Sequence, residues 1–138
     1  MYLLDTDVIS EARKGERANP GVRAFFARLI AEAAPAHLSV VTLGELRQGV
    51  ERIRYRGDES QARLLEQWLR RVAANYGDAI LPFDEEMADI WGRLRVPNPH
   101  NPLDKQIAAT ALIYGLTVVT RNESHYGGTG VSVLNPFL

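Results

Sequence analysis

The chain has 138 residues, 46% of them hydrophobic and 24% charged, with a formal net charge of −1. This balance predicts one globular domain over residues 1–138 and gives no overall basic field of the kind that attracts nucleic acid. Cysteine is absent, which excludes a disulfide scaffold and a cysteine-ligated metal site and suits a reducing cytoplasm. The N-terminus shows no signal pattern and the longest apolar run is too short to span a bilayer, so we expect a cytoplasmic protein.

In chain order, short apolar runs alternate with longer amphipathic segments. We predict strands at five runs: YLLD, HLSVV, AILPF, TVVT and VSVL. We predict helices over residues 8–13 and 20–34, after Thr42, after GDES, after the capping residue Asp84 and over LDKQIAATALIYG. Alternating strands and helices predict an α/β fold with a central, mostly parallel sheet and helices on both faces.

Acidic side chains stand near the ends of the predicted strands. Asp5 follows the first strand, and Glu45 lies in the first turn of the helix after the second. Asp104 lies in the first turn of the helix that leads into the fourth strand, and the polar segment TRNESH follows that strand. Because crossover helices run antiparallel to the strands they connect, we expect these groups along one edge of the sheet.

Three carboxylates on one edge suggest a metal site. Carboxylates this close repel one another unless a cation neutralises them. Mg²⁺ takes oxygen ligands, keeps several waters and needs only one or two protein carboxylates together with substrate phosphate. The pattern therefore predicts metal-assisted phosphodiester cleavage.

Each acid also has a purely structural interpretation. Thr42 and Glu45 fit a capping box, and Asp104 suits the positive end of its helix. Asp7 fits the N-cap of the short helix that follows it. Asp5 is harder to explain in this way, because an acid that ends a strand has no helical hydrogen bond of its own to make.

Four segments resemble, in order and spacing, the signature segments of PIN domains: LLDTDVIS, SVVTLGEL, PLDKQIAATA and TVVTRNESHY. The similarity is greatest to the toxin ribonucleases of VapBC-type, FitB-like toxin–antitoxin pairs, and it covers nearly the whole chain. It implies a three-layer α/β/α sandwich and an endoribonuclease that uses Mg²⁺ or Mn²⁺ to cleave RNA. It also implies an inhibitory antitoxin partner and a homodimer.

The resemblance gives roles to particular residues. It assigns metal binding and catalysis to three acids: Asp5, Glu45 and Asp104. Thr120 matches the hydroxyl residue that closes the fourth strand, with Arg121 and Asn122 behind it as supporting or substrate-binding residues.

Two positions depart from the family pattern. Asp7 stands where the family commonly has Asn, and we predict a supporting role for it. His125 stands where a fourth acid is often found. Glu123 is the nearest acid in the sequence that would take the place of that missing carboxylate. We predict that His125 acts on the substrate. The alternatives are a metal ligand, which would favour Mn²⁺, and an uninvolved surface position.

Two other functions compete with the ribonuclease. The segment DTDV also fits the opening of haloacid dehalogenase-like phosphatases, in which the first acid is a nucleophile, but no acidic pair follows the fourth strand. A catalytically impaired PIN-like module that only binds RNA or protein is the second alternative. The three retained acids argue against it, because repelling carboxylates without a metal are unfavourable.

Overall fold

The structure is a computed structural model that describes residues 1–138. Its strands are β1 (Tyr2–Leu4), β2 (Ala36–Ser39), β3 (Ile80–Leu81), β4 (Thr117–Val119) and β5 (Val133–Leu134). They form one sheet in the order β3-β2-β1-β4-β5, and every neighbouring pair is parallel. The chain adds strands on one side of β1 and then crosses to the other, so the strand order reverses between β1 and β4.

Six α-helices connect and cover these strands. They are α1 (Thr6–Ala12), α2 (Pro20–Glu32), α3 (Val40–Tyr55), α4 (Glu59–Tyr76), α5 (Glu85–Leu94) and α6 (Pro102–Tyr114). A 3₁₀ turn over Glu123–Tyr126 follows β4. None of the helices combines the length and the apolarity that a membrane crossing would require.

Two apolar layers lie on opposite faces of the sheet, because successive side chains of a strand point to opposite sides. Leu4 and Val119 pack with apolar residues of α1 to α4 on one face. Leu3 and Val118 pack with α6 on the other. All four side chains are fully buried, and each contributes about 1.5–3 kcal/mol of hydrophobic stabilisation. The predicted α/β fold with a parallel sheet between two helical layers is confirmed.

The predicted boundary between the second strand and its helix is wrong. β2 ends at Ser39, and Val40 and Val41 already belong to α3. The Ser39 hydroxyl accepts a hydrogen bond from the Val41 N–H at 3.0 Å and caps the helix. β-branched residues favour strands only weakly, and a good N-cap before them decides the local structure. Thr42 therefore lies inside α3, and the capping box predicted between Thr42 and Glu45 does not form.

The C-terminal segment packs against the start of α2. The Asn19 side-chain oxygen accepts hydrogen bonds from Gly21 N–H at 2.9 Å and from Leu138 N–H at 3.0 Å. A Cβ atom on Gly21 would lie 2.0 Å from the Pro136 carbonyl oxygen and 2.7 Å from a side-chain carbon of Leu138. The close approach of the two segments therefore requires glycine at position 21.

We expect Gly21→Ala to lower the free energy of unfolding by about 1–3 kcal/mol, because the added methyl group forces the C-terminal segment away. Urea unfolding measures the change. Gly44→Ala is the matched control, since a Cβ at this position of α3 meets no atom within 4 Å. This control should be neutral or up to about 1 kcal/mol more stable, because alanine favours helix. Equal stability of Gly21→Ala and the parent would contradict the close packing.

Candidate active site

The candidate site lies at the carboxyl ends of β1 and β4, where the strand order reverses. The Asp5 N–H donates to the Val119 carbonyl at 2.9 Å, so pairing of the two strands continues to the first acid. Thr120 follows β4 directly, and its N–H donates to Leu134 of β5 at 3.0 Å. Parallel strands with a reversed order leave a crevice at this edge, which is the usual ligand site of such sheets.

Asp5 is buried and accepts hydrogen bonds from three sides. Its Oδ1 accepts from the Thr6 N–H at 2.8 Å, and its Oδ2 accepts from the Thr120 hydroxyl at 2.8 Å and the Tyr126 hydroxyl at 2.9 Å. Asp5 is 2% exposed. Burial, followed by the charges of Asp7 and Asp104, raises its pKa from 3.8 to about 7 in spite of these hydrogen bonds.

Asp5 also caps α1, so the expectation that it has no helical hydrogen bond is wrong. The reason is that β1 passes into α1 without an intervening loop. The residue that ends the strand is therefore also the N-cap of the helix, which begins at Thr6 instead of the predicted residue 8.

Asp7 joins α1 to the segment after β4 and is not the predicted helix cap. Its Oδ2 accepts a hydrogen bond from the Arg121 N–H at 2.8 Å and lies 3.4 Å from the Thr120 hydroxyl. Its Oδ1 is buried without a hydrogen-bond partner. Burial raises the pKa of Asp7, and the charge of Asp104 adds to the shift. Asp7 therefore lies near Asp5 and contacts the segment that follows β4. The supporting role predicted for Asp7 stays a prediction.

Glu45 makes a tertiary hydrogen bond in place of a cap. The Thr6 hydroxyl donates to its Oε1 at 2.7 Å, which links α3 to the start of α1. Burial raises the pKa of Glu45, with further contributions from the charges of Asp104 and Asp7. Glu45 also lines a groove of about 200 Å³ between α1, α3 and α4, so this acid is accessible from solvent.

Asp104 and His125 form a hydrogen-bonded pair. Asp104 lies in the first turn of α6, and its Oδ2 is 2.7 Å from Nδ1 of His125 in the 3₁₀ turn after β4. The His125 side chain is 38% exposed and that of Asp104 16%. His125 therefore lies at the same edge as the acids, as predicted. Glu123, the acid nearest to it, bonds to Asn135 instead.

The two residues between Thr120 and Glu123 use their backbones at the site. The Arg121 N–H binds Asp7, whereas its guanidinium stacks on the Phe137 ring with the central carbon 4.0 Å from the ring centroid. The Asn122 N–H donates to the Thr120 hydroxyl at 3.0 Å. These contacts hold the segment after β4 against α1 and the C-terminal segment.

The family model for the PIN domain matches residues 2–127. The chain belongs to the PIN-domain family. It is 36% identical over 142 residues to Toxin FitB of Neisseria gonorrhoeae, with 99% of both chains covered. It is 31% identical over 144 residues to VapC ribonuclease Y4jK of Sinorhizobium fredii, with 99% of this chain and 98% of that protein covered. The crystal structure of FitAcB from Neisseria gonorrhoeae has a TM-score of 0.85 at 34% identity and covers 99% of this chain and 98% of that one.

These similarities confirm the resemblance found in the four sequence segments. The PIN match includes the DTDV segment itself, so the alternative of a haloacid dehalogenase-like phosphatase loses its sequence support. The similarity spans both apolar layers and the edge that carries the acids.

The acids of this PIN domain offer the donor atoms that a hard cation prefers. All four, Asp5, Asp7, Glu45 and Asp104, carry carboxylate oxygens, and one buried oxygen of Asp7 has no partner. No three His, Asp or Glu side chains stand at the spacing of a complete protein cage. Mg²⁺ needs no such cage, because it keeps several waters. The residues therefore fit a hydrated cation that two or more carboxylates hold.

Two residues of the site were missed in the sequence. Thr6 binds Glu45, and the buried hydroxyl of Tyr126 binds Asp5. Both lie inside the PIN signature segments and next to acidic or polar positions, which is the only signal that would have marked them. Their partners are 39 and 121 residues away in the sequence, so only the fold reveals the contacts.

The raised pKa values predict how the metal-free protein responds to pH. Between pH 3.8 and about 7, folded Asp5 binds a proton that the unfolded chain has released, so the free energy of unfolding falls as the pH rises. Asp7 and Glu45 shift in the same direction. Urea unfolding in the presence of a chelator should show this slope, and Asp5→Asn should reduce it.

Asp84→Asn is the control for this measurement. Asp84 caps α5 through the Met87 N–H at 3.0 Å, and asparagine caps helices equally well. We expect Asp84→Asn to keep the slope of the parent. A metal-free parent that becomes more stable from about pH 5 to about pH 7 would contradict the raised pKa of Asp5.

Proposed function

We propose that this PIN domain is a divalent-metal-dependent endoribonuclease and the toxin of a toxin–antitoxin pair. The site would hold Mg²⁺, with Mn²⁺ as the second choice, through the carboxylates of Asp5, Glu45 and Asp104. The enzyme would use this ion to cleave RNA phosphodiester bonds. One observation carries the proposal: acids from separate elements lie at one edge of the sheet, where burial and the charges of Asp7 and Asp104 raise the pKa values of Asp5 and Glu45. The relatives named as a toxin and as a ribonuclease support it.

A divalent ion held by these acids would place positive charge beside the scissile phosphate and lower the pKa of a bound water. The contribution of the protein is to hold the carboxylates in place. Hydroxyl groups of Thr120 and Tyr126 fix Asp5, and that of Thr6 fixes Glu45. Side chains held in this way lose little further freedom when the substrate binds, which favours catalysis.

The segment Thr120–His125 serves the substrate in this proposal. It follows β4 at the same edge as the acids, and Arg121 carries the single guanidinium of that segment, which stacks on Phe137. Arginine binds phosphate oxygens through two parallel hydrogen bonds. Asn122 lies beside it and offers an amide for hydrogen bonds to RNA.

The proposal includes an antitoxin as inhibitory partner and a homodimer as the assembled state. The family resemblance implies both, and the 36% identity to Toxin FitB over 99% of the chain supports the same class of protein. Copurification with an antitoxin encoded beside this chain, together with loss of RNase activity in the complex, would test the partner.

Asp104→Asn and Glu45→Gln should each reduce Mg²⁺-dependent cleavage of single-stranded RNA at least ~100-fold, because each removes a charge that holds the ion. Each should also remove most of the rise in melting temperature that Mg²⁺ causes in the parent. Gel analysis of RNA products and thermal unfolding measure the two effects. Glu86→Gln, an exposed acid of α5, should retain both.

Three outcomes would contradict this assignment. Full activity of Asp104→Asn and Glu45→Gln would show that these acids do not form the site. Release of phosphate from a simple phosphomonoester, with RNA left intact, would instead support the phosphatase alternative. Binding of RNA without cleavage in any metal would support the impaired binding module.

His125→Ala tests the role of the residue that replaces the fourth acid. If His125 acts on the substrate, the variant should lower cleavage ~10-fold or more and leave the Mg²⁺-induced rise in melting temperature nearly unchanged. His100→Ala in the exposed loop before α6 is the control. Loss of the metal-induced rise would identify His125 as part of the metal shell, and unchanged cleavage would place it outside the mechanism.

A further inference from the structure

Asp5 has one free acceptor position. An ionised carboxylate has about four lone-pair sites, two on each oxygen. The Thr6 N–H occupies one site of Oδ1, and the hydroxyls of Thr120 and Tyr126 occupy both sites of Oδ2. The remaining site is on Oδ1. A metal that bound both oxygens of Asp5 would have to displace one of the two hydroxyls.

Of the two hydroxyl donors to Oδ2 of Asp5, that of Tyr126 has no other partner. The Thr120 hydroxyl also contacts Asp7 at 3.4 Å and accepts from the Asn122 N–H at 3.0 Å, whereas the Tyr126 hydroxyl bonds to Asp5 alone. The tyrosine ring is 3% exposed and packs with Leu3 and residues of α6. Its backbone carbonyl accepts from the Thr129 hydroxyl at 2.6 Å. Tyr126 is therefore held at its backbone by Thr129 and at its hydroxyl by Asp5.

We propose that Tyr126 is a positioning residue that restricts Asp5 to coordination through one oxygen and thereby favours Mg²⁺ over Ca²⁺. Mg²⁺ requires near-octahedral geometry with few protein carboxylates, whereas Ca²⁺ takes six to eight oxygens and readily accepts both oxygens of a carboxylate. Blocking Oδ2 excludes the second mode. The inference rests on the proposed function, because it requires Asp5 to be a metal ligand.

The test compares Tyr126→Phe with the parent in Mg²⁺ and in Ca²⁺. The apparent affinity for each ion is obtained from the rise in melting temperature against ion concentration, without RNA. We expect the parent to prefer Mg²⁺ and the variant to gain Ca²⁺ affinity, so that the Mg²⁺:Ca²⁺ affinity ratio falls about 10-fold. Phenylalanine keeps the ring in the apolar layer, so the fold should be retained. RNA cleavage in Ca²⁺ provides a second readout.

Two further variants make the outcome decisive. Thr120→Val frees the other site of Oδ2 and should lower the ratio in the same direction, which also covers the case of a Tyr126→Phe protein that does not fold. Tyr76→Phe, at a half-buried tyrosine in the other apolar layer, should leave the ratio unchanged.

The failures of the two proposals are distinguishable. An unchanged ratio in Tyr126→Phe and Thr120→Val, or an equal loss of affinity for both ions, would overturn the role of Tyr126 and leave the ribonuclease proposal intact. A parent that neither ion stabilises would overturn both, since Asp5 would then hold no metal.

Discussion

The buried carboxylate of Asp5 is the constraint on which the site depends. It lies between a strand and a helix, where burying a charge is unfavourable unless hydrogen bonds or a cation compensate. Three donors contact it, from the start of α1, from Thr120 directly after β4 and from the 3₁₀ turn that follows. Its pKa of about 7 shows that these donors do not compensate fully. A proton or a cation would therefore stabilise this position further, and groups from several elements lie around it.

The parallel sheet explains why the other groups gather around Asp5. After β1 the chain turns to the face covered by α1 to α4, and after β4 it turns to the face covered by α6. The ends of the two strands are joined by hydrogen bonds from the Thr120 hydroxyl to Asp5 and from the Arg121 N–H to Asp7. Glu45 and Asp104 reach it from α3 and α6, which lie on opposite faces of the sheet.

The alternation of strands and helices along the sequence predicted a parallel sheet. It also predicted the sheet edge for the acids, because chain direction alone puts strand ends and helix starts on the same edge. Hydrogen-bond partners could not be predicted in the same way. Glu45 matched a capping box, but Ser39 begins the helix earlier and leaves the Glu45 side chain free to meet Thr6. Tyr126 belongs to a glycine-flanked segment that resembles a surface loop. Its burial depends on packing against α6, which no local pattern encodes.

The distribution of charge pairs separates the site from the rest of the surface. On the outer helices arginines pair with glutamates, as in the contact of Arg47 with Glu66 at 2.5 Å. The chain has 16 lysines and arginines, yet none forms a salt bridge with the four acids of the site. Lys105, next to Asp104 in the sequence, is buried and donates to the Asn98 carbonyl instead. Apart from the contact of Asp104 with His125, no basic side chain neutralises these acids, so their oxygens are left for a proton or an external cation, which agrees with metal binding better than with a structural role.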